Sequence, residues 1–235
     1  MKTSVWMMTI ATLVFVQPGH AADMTTFIVK PGVGNNTFTA VFDAVIGERI
    51  TAISSAVGCT FTVDEEKLEG KGSCSVALTS ILVDGDETKT EHFQQWATNK
   101  SSDPKDCTFD LEIPSFQLSS PAEPKTPVPF TTEGTFTVCG RTRDDGGPEY
   151  MTGTIIYLPA GTYGKSRTLR IRARIEGFNR DQYKVGPAHT SGWLARVQQL
   201  ADVVATEGTI DVNIFATSPP KEEVGKSNNE MPKGG

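Results

Sequence analysis

Residues 73–83 read S-C-S-V-A-L-T-S-I-L-V, residues 84–96 read D-G-D-E-T-K-T-E-H-F-Q-Q-W, and residues 107–116 read C-T-F-D-L-E-I-P-S-F. In the first run Cys74, Val76, Leu78 and Ile81 fall on or near one face, with Ser73, Ser75 and Thr79 on the other, the period of a half-buried strand. In the last run Cys107, Phe109, Leu111 and Ile113 alternate with Thr108, Asp110 and Glu112. Both strands offer one wall to an apolar interior. Between them His92, Phe93 and Trp96 recur at helical spacing behind polar residues, which predicts a short amphipathic helix across one end of the sheet, as a lid or a plug.

Outward from this unit the chain is a succession of short alternating segments separated by turn signals. Strands are expected at residues 26–30, after which P-G-V-G-N-N turns the chain, and at residues 37–45, with Phe38, Ala40 and Phe42 on one face. Residues 50–57 and 59–63 follow, then a turn over residues 64–72 centred near Glu66 and Lys67. Residues 119–129 carry Pro121, Pro124, Pro127 and Pro129 and read as an extended surface loop, because proline cannot donate to a sheet ladder. Residues 134–140 resume the sheet around Phe136, and residues 150–158 form another strand. Residues 169–175 show the clearest alternation: Leu169, Ile171, Ala173 and Ile175 point one way, and Arg170, Arg172 and Arg174 point to a solvated face. A second amphipathic helix is expected over residues 192–204, and a closing strand over residues 209–217. That makes about eight strands and one or two short helices. The solution without exposed edges is an all-β, closed antiparallel barrel, wide enough at this strand number to hold a ligand.

Composition bounds the function. The 235 residues fit a single barrel domain, and 28 acidic against 22 basic side chains give a net charge of −6. Nucleic acid is not an expected partner, because phosphate binding needs clustered positive charge. Residues 1–21 combine Lys2, an apolar run and the G-H-A step before the mature chain, the pattern of a secretory signal too short to span a bilayer. Residues 22–217 form the expected barrel domain, and residues 218–235 read as a disordered tail with little to bury. The protein is expected in the periplasm and not as an integral membrane protein. Four cysteines in an exported chain suggest two disulfides. A hairpin over residues 59–76 sets Cys59 opposite Cys74 on one face. Cys107 and Cys139 also come together, but Cys139 shares the face of Thr135 and Thr137, so that bridge requires a bulge or a frayed strand end.

Residues 42–57, F-D-A-V-I-G-E-R-I-T-A-I-S-S-A-V, begin a longer pattern. It continues through G-C-T-F-T-V-D from Gly58, S-V-A-L-T-S-I-L-V-D from Ser75, and E-H-F from Glu91. E-G-T-F-T-V-C-G-R-T from Glu133, L-R-I-R-A-R-I from Leu169, F-N-R-D-Q-Y-K-V-G from Phe178 and G-T-I-D-V-N-I-F-A from Gly208 complete it. In order and spacing this resembles the YceI-like family over residues 25–217. The resemblance implies a lipocalin-like extended antiparallel β-barrel in an exported bacterial protein. It also implies, as in some members, a long polyisoprenoid chain in the interior, such as an isoprenoid quinone or a polyprenyl phosphate; no other cofactor is expected. The four cysteines, the proline-rich insertion, the longer segment over residues 188–204 and the tail depart from the family pattern.

Alternation nominates Phe42, Phe61, Leu78, Phe109, Leu111, Phe136 and Ile171 as residues lining such an interior. Phe93, Trp96, Phe178, Tyr183 and Trp193 are expected to meet a ligand from lid and loop positions. His92, Arg180 and His189 are the candidates to contact a polar head group. No metal site is expected, since neither C-x-x-C spacing nor a histidine cluster is present. The sequence contains no nucleophile elbow, no H-E-x-x-H and no complete calcium loop at D-G-D-E-T, so a binding protein is expected rather than an enzyme. Two other readings remain open on the residues alone. One is a packed barrel whose proline-rich loop and tail contact an envelope protein partner. The other is a haem- or redox-associated accessory protein using His92 or His189.

Overall fold

The computed structural model describes residues 24–219 apart from residues 45–46, 65–66, 68, 100–101, 121–122, 163 and 190–203. The expected signal segment, the tail beyond Pro219, and Trp193 with most of the expected second helix lie outside the described residues. Among the described residues eleven strands form one antiparallel sheet: β1 (Met24–Val29), β2 (Thr37–Ala44), β3 (Arg49–Ser54), β4 (Val57–Asp64), β5 (Glu69–Ala77), β6 (Leu82–Val83), β7 (Thr108–Leu118), β8 (Pro127–Val138), β9 (Glu149–Leu158), β10 (Thr168–Asn179) and β11 (Val204–Thr217). Helix α1 (Glu87–Thr98) lies between β6 and β7.

Eight of these strands close a ring in the order β1-β4-β5-β7-β8-β9-β10-β11, the last contact being Ile28 opposite Thr217. Closure removes the exposed edges that an open sheet of this size would leave. The long strand β11 makes the arrangement possible. Its C-terminal residue meets β1, while its earlier part, from Val204 to Asn213, pairs with β2. Strands β2, β3 and β6 therefore leave the ring as a three-stranded flap. Val204, expected at the end of a helix, instead opens β11.

Local chemistry explains the turns of this path. In β10 the register shifts between Ile175 and Phe178, with Glu176 and Gly177 both exposed. Gly177 takes a φ of +65°, which costs a residue without Cβ little, and the extra step lets Phe178 return to the interior at 5% exposure. Helix α1 starts where Asp86 accepts the Lys89 amide at 2.9 Å and stops where Asn99 adopts a left-handed conformation at φ 48°. The Thr90 hydroxyl donates to the Asp86 carbonyl and accepts from the Val83 amide, fastening the helix to β6.

The proline-rich segment needs correcting. Pro127 and Pro129 are strand residues of β8, paired with Ile156 and Thr154 of β9, and Val128 and Phe130 point inward between them. Strand β7 ends at Leu118, opposite Phe130, so this part of β8 has an open side where a missing N–H is tolerated. Leu78 also departs from the expected strand: it begins a 3-10 turn, Leu78–Ser80, yet stays fully buried. Both disulfides form, Cys59 with Cys74 and Cys107 with Cys139. Cys59 and Cys74 are direct cross-strand partners. Cys139 lies just past β8 at φ 46°, so the strand has ended and its parity no longer dictates where the sulfur points. Of the outward arginines of β10, Arg172 and Arg174 are exposed, as a solvated face requires, and Arg170 is half-buried. Arg174 pairs with Asp211 and Glu176, and Arg170 lies over the Phe215 ring.

Candidate functional site

The inward faces enclose two adjacent apolar spaces. The outer chamber, of about 260 Å³, sits beneath α1, between the flap and the end of the ring. From the flap it is lined by Phe38, Ala40, Phe42, Ala44, Ile50, Ala52 and Val83, and from the far side by Phe109, Val138, Phe178, Val185 and Ile210. Helix α1 contributes Lys89, His92, Phe93 and Trp96, which the helical repeat places on one face. The inner space runs down the ring and holds only about 50 Å³. Phe61, Leu111, Phe136 and Ile171 line it, together with Phe116, Phe130 and Met151.

Most nominated lining residues come together in these two spaces. Phe42, Phe93, Trp96 and Phe178 belong to the outer chamber, and Phe109 borders both. Phe42 lies against Gly208, its direct partner on β11, where a Cβ would meet the ring at 2.6 Å and the Val41 carbonyl closer still. Leu78 and Tyr183 line neither space. Leu78 is packed core. Tyr183 is fully buried, stacked on Phe178 at 5.0 Å between ring centroids, and its hydroxyl donates to Glu149 at 2.7 Å. Burial, reinforced by that hydrogen bond to a carboxylate, pushes the tyrosine pKa up. Tyr183 is therefore a fixture of the floor and not a lid.

The three head-group candidates fare differently. Arg180 lines the outer chamber but its guanidinium is engaged: Nε donates to the Ala205 carbonyl, Nη2 to that of Val204, and Nη1 to that of Val185 and to the Asp181 carboxylate. Burial lowers its pKa, with the Asp181 charge opposing that shift. The side chain pins the start of β11 to the loop after Tyr183. His189 is half-buried, 3.7 Å from Asp181, and is not on the chamber wall. His92 is on the wall, half-buried, and has no hydrogen-bond partner among the described residues.

Sequence reading passed over the rest of the mouth. Lys89 and Glu48 also border the chamber, and the Lys89 ammonium lies 2.8 Å from Asp84. That hydrogen bond and the Asp84 charge raise the lysine pKa. The neighbouring polar floor was likewise not legible, because its members are dispersed along the chain. Arg143 donates to both Asp145 oxygens, at 2.9 and 2.6 Å, and to buried Glu149 at 3.2 Å. Arg141 reaches the Tyr183 carbonyl at 3.0 Å and also donates to the Ala97 carbonyl, tying the end of α1 to this floor. Among the described residues no cluster of histidine, cysteine and carboxylate side chains is arranged to hold a metal ion. No described helix is long and apolar enough to cross a membrane.

No protein-family model matches the chain, and no curated protein does. Among solved structures, a polyisoprenoid-binding domain from Saccharophagus degradans, implicated in plant cell wall breakdown, is similar over 83% of this chain and 99% of its own, with a TM-score of 0.55 at 10% identity. At that identity the likeness is one of fold. The chain thus has a closed antiparallel barrel of the same fold as that domain, the lipocalin-like architecture that the YceI-like resemblance implies.

Proposed function

We propose that the protein is an exported, non-catalytic carrier that holds an amphiphilic isoprenoid lipid, with its hydrocarbon in the outer chamber and its head at the mouth beside His92. The observation that carries this reading is the outer chamber itself: about 260 Å³ under an amphipathic helix, walled by aromatic and aliphatic side chains. Hydrocarbon burial there stabilises a complex by about 25 cal/mol per Å² removed from water. Among the described residues Lys89, His92, Glu48 and Arg180 are the charged or titratable side chains on the wall, and none is paired with a serine or cysteine nucleophile. That supports binding without chemistry.

The mouth favours one head-group class. Lys89 is neutralised by Asp84, Arg180 is occupied by carbonyls and Asp181, and Glu48 adds negative charge. Among the described residues a polyprenyl phosphate would find no uncommitted lysine or arginine on this wall. A neutral head with a carbonyl oxygen, such as a quinone ring, can accept from the His92 imidazole. Export to the periplasm rests on the pattern of residues 1–21 and on the two disulfides, which persist in oxidising compartments.

Mass spectrometry of an organic extract, from protein purified out of the periplasm without detergent, tests the reading. A stoichiometric isoprenoid is expected, and in competition a prenylquinone should displace it better than a polyprenyl phosphate. A clean extract, joined to failure to take up either lipid in vitro, would shift the assignment to a packed barrel that serves as an envelope interaction module.

A further inference from the structure

The two apolar spaces meet at a constriction. Phe38 on β2, Phe109 on β7 and Ile210 on β11 line both the outer chamber and the inner space. Phe109 is held there on three sides by edge-to-face contacts: Phe38 at 6.1 Å, Phe93 of α1 at 6.0 Å and Phe136 at 6.2 Å between ring centroids. A ring clamped in this way in a close-packed interior does not swing aside without displacing its neighbours. Beyond it the apolar lining continues along β7 to Phe116, which packs against Phe130 at 6.5 Å. At roughly 3.3 Å per residue that stretch of strand spans on the order of 23 Å. The barrel therefore has the length for a long hydrocarbon but keeps most of it filled.

We infer that Phe109, braced by Phe38, is the stop that sets how long a hydrocarbon chain the protein accepts. This inference rests on the carrier reading above and makes it specific: the native ligand has a short prenyl chain confined to the outer chamber, and a longer chain is excluded at the aromatic neck. Phe109 acts by shape alone. Shortening it joins the inner space to the outer one and extends the accepted chain, since each further methylene that reaches apolar surroundings strengthens binding by about fourfold.

The test is a binding series with geraniol, farnesol, geranylgeraniol and solanesol, on the wild-type chain and on Phe109→Leu. A second substitution on the opposite wall of the neck, Phe38→Leu, covers the case in which Phe109→Leu does not fold. Wild-type affinity should rise over the shortest members and then stop rising. In either variant the rise should continue to the longer alcohols, with a gain of about tenfold for geranylgeraniol over wild type. Adding Ala173→Phe, which refills the inner space, should cancel that gain. A wild-type protein that binds the series with affinity rising through solanesol, or variants with an unchanged length profile, would overturn the neck while leaving the carrier reading intact. A wild-type protein that binds none of the alcohols would overturn both.

Discussion

The inward faces of β7 and β8 present Phe109, Leu111, Phe116, Phe130 and Phe136, whereas those of β2 and β3 present Phe38, Ala40, Phe42, Ala44, Ile50 and Ala52. Both sets arise from the same two-residue alternation, and both point at the same lumen. The ring strands fill their share of it with aromatic rings and leave about 50 Å³, while the flap leaves about 260 Å³. Ala40 faces Ala52 directly across the pair and has Ile210 as its other neighbour. Alternation decides which side chains face inward, and side-chain volume decides whether the interior is core or chamber. Away from the neck formed by Phe38 and Phe109, substitutions in the ring should therefore cost stability, and substitutions that fill the flap's side of the chamber should cost binding.

The largest effect is expected from Phe136→Ala. Phe136 touches Phe109, Phe178 and Tyr183, at centroid distances of 6.2, 5.2 and 5.7 Å, and is 4% exposed. Its truncation should lower the unfolding free energy by about 3–5 kcal/mol in a urea titration. A loss below about 1 kcal/mol would mean that the ring lumen is not packed core, and the contrast between the two regions would fail.

Next is the joint replacement Cys59→Ala with Cys74→Ala. The bridge closes a separation of 15 residues across directly paired positions, and Cys74 borders the inner space. Removing such a link from the unfolded chain's constraints should cost about 3 kcal/mol. Because both residues belong to the ring, lipid uptake by the folded fraction should be unchanged. Altered uptake at full folding would extend the binding region beyond the outer chamber.

Ala52→Leu probes the other region. Overpacking a partly empty site should cost at most about 1 kcal/mol in stability, since the added methyl groups enter the chamber instead of displacing neighbours. Farnesol binding should weaken by tenfold or more, about 1.4 kcal/mol, because the same volume is taken from the ligand. Equal losses in stability and binding would show that the chamber does not exist in solution as an open space.

Sequence reading succeeded wherever period and burial coincide. Residues 169–175, the hairpin that pairs Cys59 with Cys74, and the helical face of His92, Phe93 and Trp96 all appear as their spacing predicts. It failed where one strand changes its partner. Nothing in residues 204–217 signals that β11 serves β1 at one end and β2 along the rest, because that choice depends on contacts far apart in the chain. Prolines 127 and 129 misled for the same reason: their tolerance depends on where β7 stops. Leu78 and Tyr183 were indistinguishable from cavity-lining residues, since hydrophobicity predicts burial and not the presence of empty space beside it. Arg180 looked like a free cation until its acceptors, carbonyls at residues 185, 204 and 205, were in place.

The smallest effect concerns the polar floor, and it separates the two regions by pH. The Arg143 guanidinium, donating to both oxygens, holds Asp145 at about 2, below the ordinary 3.8, and the Gly147 amide adds to this. A carboxylate whose folded value is depressed contributes stability that is fully present above its unfolded pKa and is lost as pH falls through the folded one. Asp145 is exposed, so solvent screens the contribution and it is modest. Asp145→Asn should thus melt slightly below wild type at pH values above about 4, with the gap closing as pH approaches 2. Arg143 keeps its contact with Glu149 in the variant, so the floor under Tyr183 stays in place. Farnesol uptake at neutral pH should then match wild type, because no atom of the Arg143 cluster borders the outer chamber. A melting gap that persists unchanged at pH 2 would show that the substitution acts through packing and not through charge. A matched loss of uptake would show that the floor and the chamber are one cooperative unit, and the division between ring and flap would have to be redrawn.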